Sequence, residues 1–219
     1  MKNLVTGDQW RRTRLHDMRG NFAGMVAVVR DLPRSLAGAA LREIAGKYPT
    51  LPWIPYPAIR ALAKLSRPDW HVLEHGAGMS TVWWAKRVNS IHSIEANADW
   101  YQRLKEEIRH RRLDNVTLEH RTGDDYGDLS AFKDHSFQLV VIDGHAREKA
   151  AEQATRLITR PGWIYLDNTD FAAQWQEMYG EAENILRGAA SRDRAEMTYF
   201  TGFPPATFIA NQGLLISYR

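Results

Sequence analysis

From Asp69 onward the chain alternates short, nearly unbroken apolar runs with longer amphipathic stretches. The apolar runs lie near 71 to 75, 90 to 95, 115 to 120, 137 to 143 and 162 to 167, and their length and flanking turn residues predict buried strands. The stretches near 79 to 87, 98 to 111, 146 to 159 and 171 to 188 carry apolar residues at helical spacing and predict helices. Strand and helix in strict alternation specify a doubly wound, mostly parallel α/β sheet. The tail departs from this rhythm: EMTYFTGF and GLLISYR are β-rich, and the Pro- and Asn-containing link between them has no room for a helix. An antiparallel pair at the sheet edge is expected. The first fifty-odd residues lack strand alternation, and Leu36, Ala40, Leu41 and Ile44 are spaced to form one apolar helical face. Pro52, Pro55 and Pro57 then hold the chain extended, with Pro57 suited to a helical first turn. The expected division is a helical cap over 1–56 and the α/β domain over 57–219.

At 219 residues and 44% hydrophobic content the chain builds one sizeable core plus an accessory segment. The absence of cysteine excludes disulfides, thiolate nucleophiles and the usual structural zinc sites, so any metal must use oxygen or imidazole ligands. The formal charge of +3 is mildly basic, with clusters at 11 to 14 and 109 to 112. The second cluster follows the periodic segment WYQRLKEEI and sits at an expected helix C-terminus, where cations complement the dipole; nucleic acid is therefore a disfavoured partner. The apolar run FAGMVAVV, between Arg19 and Arg30, is too short to span a bilayer, and a cytoplasmic protein without a membrane span is expected. Self-association is left open.

The chemistry concentrates at strand ends, where sheets of this kind bind ligands. In VLEHGAGMST, Gly76 and Gly78 permit a sharp turn and a close ligand approach, while the helix opening near Met79 aims free amides at the ligand. Ser80 and Thr81 either cap that helix or touch a ligand carboxylate. Glu95, at the tip of the second strand, is placed to accept from both hydroxyls of a ribose. A dinucleotide site would have a third glycine where this chain has Thr81, and an apolar or small residue at Glu74. Glu74 suits a cationic ligand.

The ExGxG run after a strand, followed by IExN, resembles the class I S-adenosylmethionine-dependent methyltransferases. The resemblance implies a seven-stranded Rossmann-like sheet, with Glu74 near the methionine end of the cofactor and Glu95, beside Ala96, on the ribose. His75 departs from the apolar residue usual between strand and glycines. Gly123, Asp124 and Asp125 are expected to pass the adenine, although all three are also good turn residues. Asp143, Gly144 and His145 follow the fourth strand; Asp167 and Asn168 follow the fifth. This pattern is similar to that of metal-dependent O-methyltransferases of the catechol and caffeoyl-coenzyme A type, which implies Asp143, Asp167 and Asn168 as ligands of Mg2+ or another divalent cation. Without a metal, Asp143 would serve cofactor or substrate, and Asp167 with Asn168 would cap the next helix. His145 is the candidate general base or a neighbour of the adenine, and Arg147 is either an anchor for an anionic substrate or a solvated helix start. Trp53 and Tyr56 either wall the site or pack on the sheet, whereas Trp83, Trp84, Trp100 and Tyr101 are expected in the core.

The expected function is methyl transfer to a hydroxyl of a small molecule. The alternatives are an NAD-dependent oxidoreductase, an RNA methyltransferase and a non-catalytic nucleotide-binding module. The Pro-Pro-aromatic signature typical of amino-directed enzymes is replaced here by Asp143, Gly144 and His145.

Overall fold

A computed structural model describes residues 7–219. Seven strands form one sheet in the order β3-β2-β1-β4-β5-β7-β6. They are β1 (His71–His75), β2 (Ser90–Glu95), β3 (Val116–His120), β4 (Phe137–Ile142), β5 (Ile158–Leu166), β6 (Glu196–Gly202) and β7 (Asn211–Tyr218). The first five pair in parallel, while β7 runs antiparallel to both β5 and β6. The antiparallel tail is as expected, but β7 inserts inside the sheet and leaves β6 at the edge.

The central strands are apolar because helices cover both faces. On one face α6 (Arg147–Leu157) and α7 (Glu181–Arg192) bury Ala150, Ala154, Leu157 and Leu186 against Leu73, Val140, Ile142 and Ile164. On the other, α3 (Tyr56–Leu65) and α4 (Met79–Ala85) set Leu62, Trp83 and Trp84 on Val72, Leu139 and Val141. A helix α5 (Ala98–His110) joins this side through Leu104, with Asn97 accepting from the Trp100 amide at 2.8 Å as its N-cap. Arg109 and His110 occupy its last turn, as the charge pattern indicated.

Two helical expectations are corrected. The stretch 171–188 is not one helix. A 3-10 turn over Thr169–Ala173 and a π-type turn over Gln176–Gly180 precede α7, because Trp175 (φ −122°, ψ 70°) leaves helical geometry. The detour packs Phe171, Trp175 and Tyr179 together and brings the Tyr179 ring within 4.6 Å of the Arg147 guanidinium. In the N-terminal region, α1 (Met25–Arg30) and α2 (Leu32–Ala45) are preceded by irregular chain. The large residues predicted to face inward on α2 are outside: Leu36 and Leu41 are exposed, and Ile44 keeps 87% of its surface. The buried side is Ser35, Gly38 and Ala39. It docks because a Cβ on Gly38 would stand 2.9 Å from the Ala206 amide nitrogen, a backbone approach only glycine allows, and Ser35 Oγ donates to the Pro204 carbonyl at 2.9 Å.

Buried carboxylates tie this region to the sheet end. Asp17 accepts from Thr201 Oγ1 at 3.0 Å, Asp31 takes a bidentate pair from Arg60 at 2.8 and 3.0 Å, and Asp170 accepts from the amides of Met18 and Gln212. Among the described residues no helix is long and apolar enough to cross a membrane.

Candidate active site

The strand order reverses between β1 and β4, so their carboxyl ends open a crevice at the topological switch point, where such sheets bind ligands. A cavity of about 440 Å³ lies there. Its lining comes from the turn after β1, Glu95 at the tip of β2, and Asp143, Gly144 and His145 beyond β4. Tyr126, Arg147, Trp100 and Tyr179 join it from neighbouring elements, as do Tyr48 and Trp53 from the segment before α3.

The turn after β1 is shaped by backbone proximity. Gly76 has φ +101°, and a Cβ there would lie 2.5 Å from the Gly144 nitrogen. The amides of Asp143 and Gly144 both donate to the His75 carbonyl at 2.8 Å, which closes the two turns on each other. Gly78 is different: its backbone is extended (φ −170°) and a Cβ would meet its nearest neighbour at an ordinary 3.4 Å. Only Gly76 is thus dictated by its conformation. Thr81 Oγ1 accepts from the Gly78 amide at 3.2 Å and donates to Glu74, which resolves its role as a cap, while Ser80 lines the cavity.

Glu74 is buried behind this turn. Its Oε2 accepts from Thr81 Oγ1 at 2.5 Å and Ser93 Oγ at 2.8 Å, and its Oε1 makes no hydrogen bond, although the Ser80 hydroxyl stands near the carboxylate. Burial raises its pKa from 4.5 to about 7, against the pull of the Ser80, Thr81 and Ser93 hydroxyls. His75, the departure from an apolar residue, is accommodated as a neutral ring 4.3 Å from Tyr126. Burial first, and the Arg147 charge next, push it down to about 3, against the opposing pull of the Tyr126 backbone.

Glu95 faces the cavity and accepts from the Asn97 amide at 2.7 Å; burial raises its pKa, and the amides of Asn97 and Ala96 oppose the rise. The Tyr126 hydroxyl packs so closely on Gly144 that a Cβ at 144 would stand 1.8 Å from it. Tyr126 and Tyr179 were not anticipated; the one sequence signal for Tyr126 is an aromatic directly after the Gly-Asp-Asp turn. Trp100, expected in the core, lines the cavity and donates from Nε1 to the Ala77 carbonyl at 3.0 Å. Trp53 faces the site, stacked on Tyr48 at 5.5 Å, with a buried indole N–H that has no partner. Tyr56 instead packs against the core.

Other sequence candidates lie apart from the cavity. Gly123, Asp124 and Asp125 form an exposed 3-10 turn, with Asp124 paired to Lys149 at 2.7 Å. Ala96 packs against the core. Asp143 and Asp167 do follow paired residues, Ile142 and Leu166, so their backbones are neighbours. Their carboxylates take different partners. Asp167 is 2% exposed and its Oδ1 accepts from the Tyr165 hydroxyl at 3.1 Å. Burial, followed by the nearby Asp143 charge, holds Asp167 well above the usual carboxylate range. Neither Asp167 nor Asn168 lines the cavity.

Between these residues stands Arg147, 3% exposed. Its Nε donates to the Gly144 carbonyl at 2.8 Å, Nη1 to the Asp167 carbonyl at 2.5 Å, and Nη2 to the Asp143 carbonyl at 2.6 Å. Nη2 also lies 3.2 Å from both Asp143 Oδ1 and Asn168 Oδ1. The reading of Arg147 as a solvated helix start is therefore corrected: it is buried, and its nitrogens donate to protein oxygens at the rim of the cavity. The expected divalent cation does not fit this arrangement, because a guanidinium fills the space between its ligands. Among the described residues no group of three or more acidic, His or Cys side chains is arranged to hold a metal.

No protein-family model matches the chain, and no curated protein sequence matches it. Solved structures do. The O-methyltransferase TomG from Streptomyces achromogenes, solved with SAM, superposes with TM-score 0.61 at 16% identity over 84% of this chain and 89% of that one. The tRNA (m1A58) methyltransferase TrmI from Aquifex aeolicus gives 0.54 at 12% identity, over 79% and 70%. TYW2 from M. jannaschii, solved with AdoMet, gives 0.50 at 18% identity over 72% of each chain. With the strand order and the crevice above, these likenesses establish that the chain has the class I S-adenosylmethionine-dependent methyltransferase fold.

Proposed function

We propose that this protein transfers a methyl group from S-adenosylmethionine to a hydroxyl of a small molecule. The observation that carries the reading is the convergence of the Gly76 turn, Glu95, Asp143 and His145 on one cavity at the switch point. Two features fit this cofactor in particular. Gly76, at φ +101°, lets the turn after β1 press on Gly144 and so sets Ala77, Gly78 and Ser80 on the cavity wall, and Glu74, buried behind that turn, has in Oε1 an acceptor suited to the ammonium of a methionine end. Glu95 would hold the ribose, and Ser80 and the opening amides of α4 the carboxylate. Tyr126 and the aromatic group of Tyr48, Trp53 and Trp100 would exclude water from the transfer site.

When bound, the cofactor supplies an electrophilic methyl on a sulfonium. The chain's own share is to orient the acceptor oxygen in line with that methyl and to take its proton. His145, exposed at the cavity rim, is the proposed base, and Asp143 the proposed positioning carboxylate. The segment up to residue 56 would act as a cap on the acceptor side, since it contributes Tyr48 and Trp53 to the lining. A small acceptor is favoured over RNA because the cluster at 109 to 112 ends α5, with Arg111 paired to Glu107 at 2.8 Å, and Arg11 is paired to Asp8.

Calorimetry with S-adenosylhomocysteine and NAD in parallel tests the reading. Binding of the first alone, weakened by Glu95→Ala, is expected; binding of NAD alone would reverse the cofactor assignment.

A further inference from the structure

The position that the motif resemblance assigns to a divalent ion is taken by a side chain, and we infer that Arg147 is a built-in cation that holds Asp143 and Asn168 in place of a metal. The inference deepens the proposed methyl transfer, on which it rests, by assigning its positive charge to the protein itself.

The geometry is that of a clamp. From the first turn of α6 the guanidinium ties the tips of β4 and β5 through the carbonyls of Asp143 and Asp167, and the turn between them through Gly144. The face of the Tyr179 ring backs it at 4.6 Å. A hard divalent ion bound by Asp143 Oδ1 and Asn168 Oδ1 would need both at about 2.0–2.6 Å. That place is claimed by Nη2, 3.2 Å from each oxygen. The third ligand expected from sequence, the Asp167 carboxylate, has turned to the Tyr165 hydroxyl. A guanidinium offers donors in a fixed fork and no open coordination position, so it orders these groups without acting as a Lewis acid. Proton removal from an acceptor then falls to a side chain at the rim rather than to a metal-lowered acidity. In this role Arg147 is a positioning residue.

Mn2+ titrated into metal-free protein and followed by electron paramagnetic resonance tests the inference directly. Wild type is expected to bind no stoichiometric Mn2+ below millimolar concentration, and its affinity for S-adenosylhomocysteine is expected to be the same, within twofold, with Mn2+ or with chelator. Arg147→Ala, which empties the space between Asp143 and Asn168, is expected to lose at least tenfold in that affinity. It should recover most of the loss on addition of Mn2+, a rescue that a merely structural arginine would not permit. Should the alanine variant not fold, Arg147→Met keeps the stem and carries the same comparison. Stoichiometric Mn2+ on wild type that disappears in Asp143→Asn would overturn the inference. Failure of wild type to bind S-adenosylhomocysteine at all would instead refute the proposed function, and the Mn2+ titration would still decide whether a metal belongs here.

Discussion

Replacing Glu74 by Gln tests the buried carboxylate behind the glycine turn. Its pKa stands at about 7 against an ordinary 4.5. At about 1.4 kcal/mol per pH unit, keeping it ionised costs the folded protein about 3 kcal/mol. Because the folded value is raised, the favourable contribution of the neutral acid is complete below 4.5 and is lost as pH rises through about 7. Glutamine is neutral at every pH. Its carbonyl can still accept from Thr81 and Ser93, and its amide, set where Oε1 makes no hydrogen bond, adds an offset that does not vary with pH. The stability of wild type relative to Glu74→Gln should therefore fall by about 3 kcal/mol between pH 4.5 and pH 8, with less than about 1 kcal/mol of that change complete at pH 5. Urea unfolding of both proteins without ligand, across this range, measures the difference. A difference that stays flat with pH would refute the argument. If Oε1 receives the cofactor's ammonium, wild-type affinity for S-adenosylhomocysteine should also rise from pH 6 to 8, with proton release seen as buffer-dependent binding enthalpy. Glu74→Gln should remove both signatures.

Three further outcomes are expected. Gly76→Ala must accommodate φ +101° and a Cβ 2.5 Å from Gly144, so it should lose about 2 to 4 kcal/mol in chemical denaturation, and a loss under about 0.5 kcal/mol would mean the two turns separate easily. Glu95→Ala should weaken S-adenosylhomocysteine binding by about 1.5 to 3 kcal/mol through lost charged hydrogen bonds; unchanged calorimetric affinity would remove the ribose from this position. His145→Ala should lower kcat by about two to four orders of magnitude with cofactor affinity intact, and a near-normal rate would return the base to another group.

The parallel strands and the two acids nearest the cavity were legible because buried strands are uninterrupted apolar runs and their tips expose the next polar residue. Asp143 and Glu95 stand where that rule puts them. The rule weakens where packing is done by small residues. Periodicity ranks faces by side-chain bulk, so it chose Leu36 and Leu41 on α2, whereas the face that docks is the one whose glycine lets two backbones meet. It also fails where a segment bends to serve a contact, as between Phe171 and Tyr179. The Asp143, Asp167 and Asn168 pattern was read correctly as adjacent in space, but strand adjacency fixes the backbone and leaves side chains free to turn. Arg147, four residues beyond Asp143, pairs with the Asp143 carboxylate, while that of Asp167 turns to the Tyr165 hydroxyl.

The contact between Tyr126 and Gly144 divides the site into parts with different freedom to change. With a phenol where any Cβ at 144 would be, and the Gly76 turn pressed against the same residue, the base of the crevice tolerates almost no remodelling. The residues around Tyr48 to Trp53 lie outside helix and strand, and Trp175 and Tyr179 stand at the break before α7, so these side chains are not locked by a backbone approach of that kind. Altered selectivity, whether in natural variants or by directed evolution, should therefore arise in those two peripheral segments while the interior stays invariant.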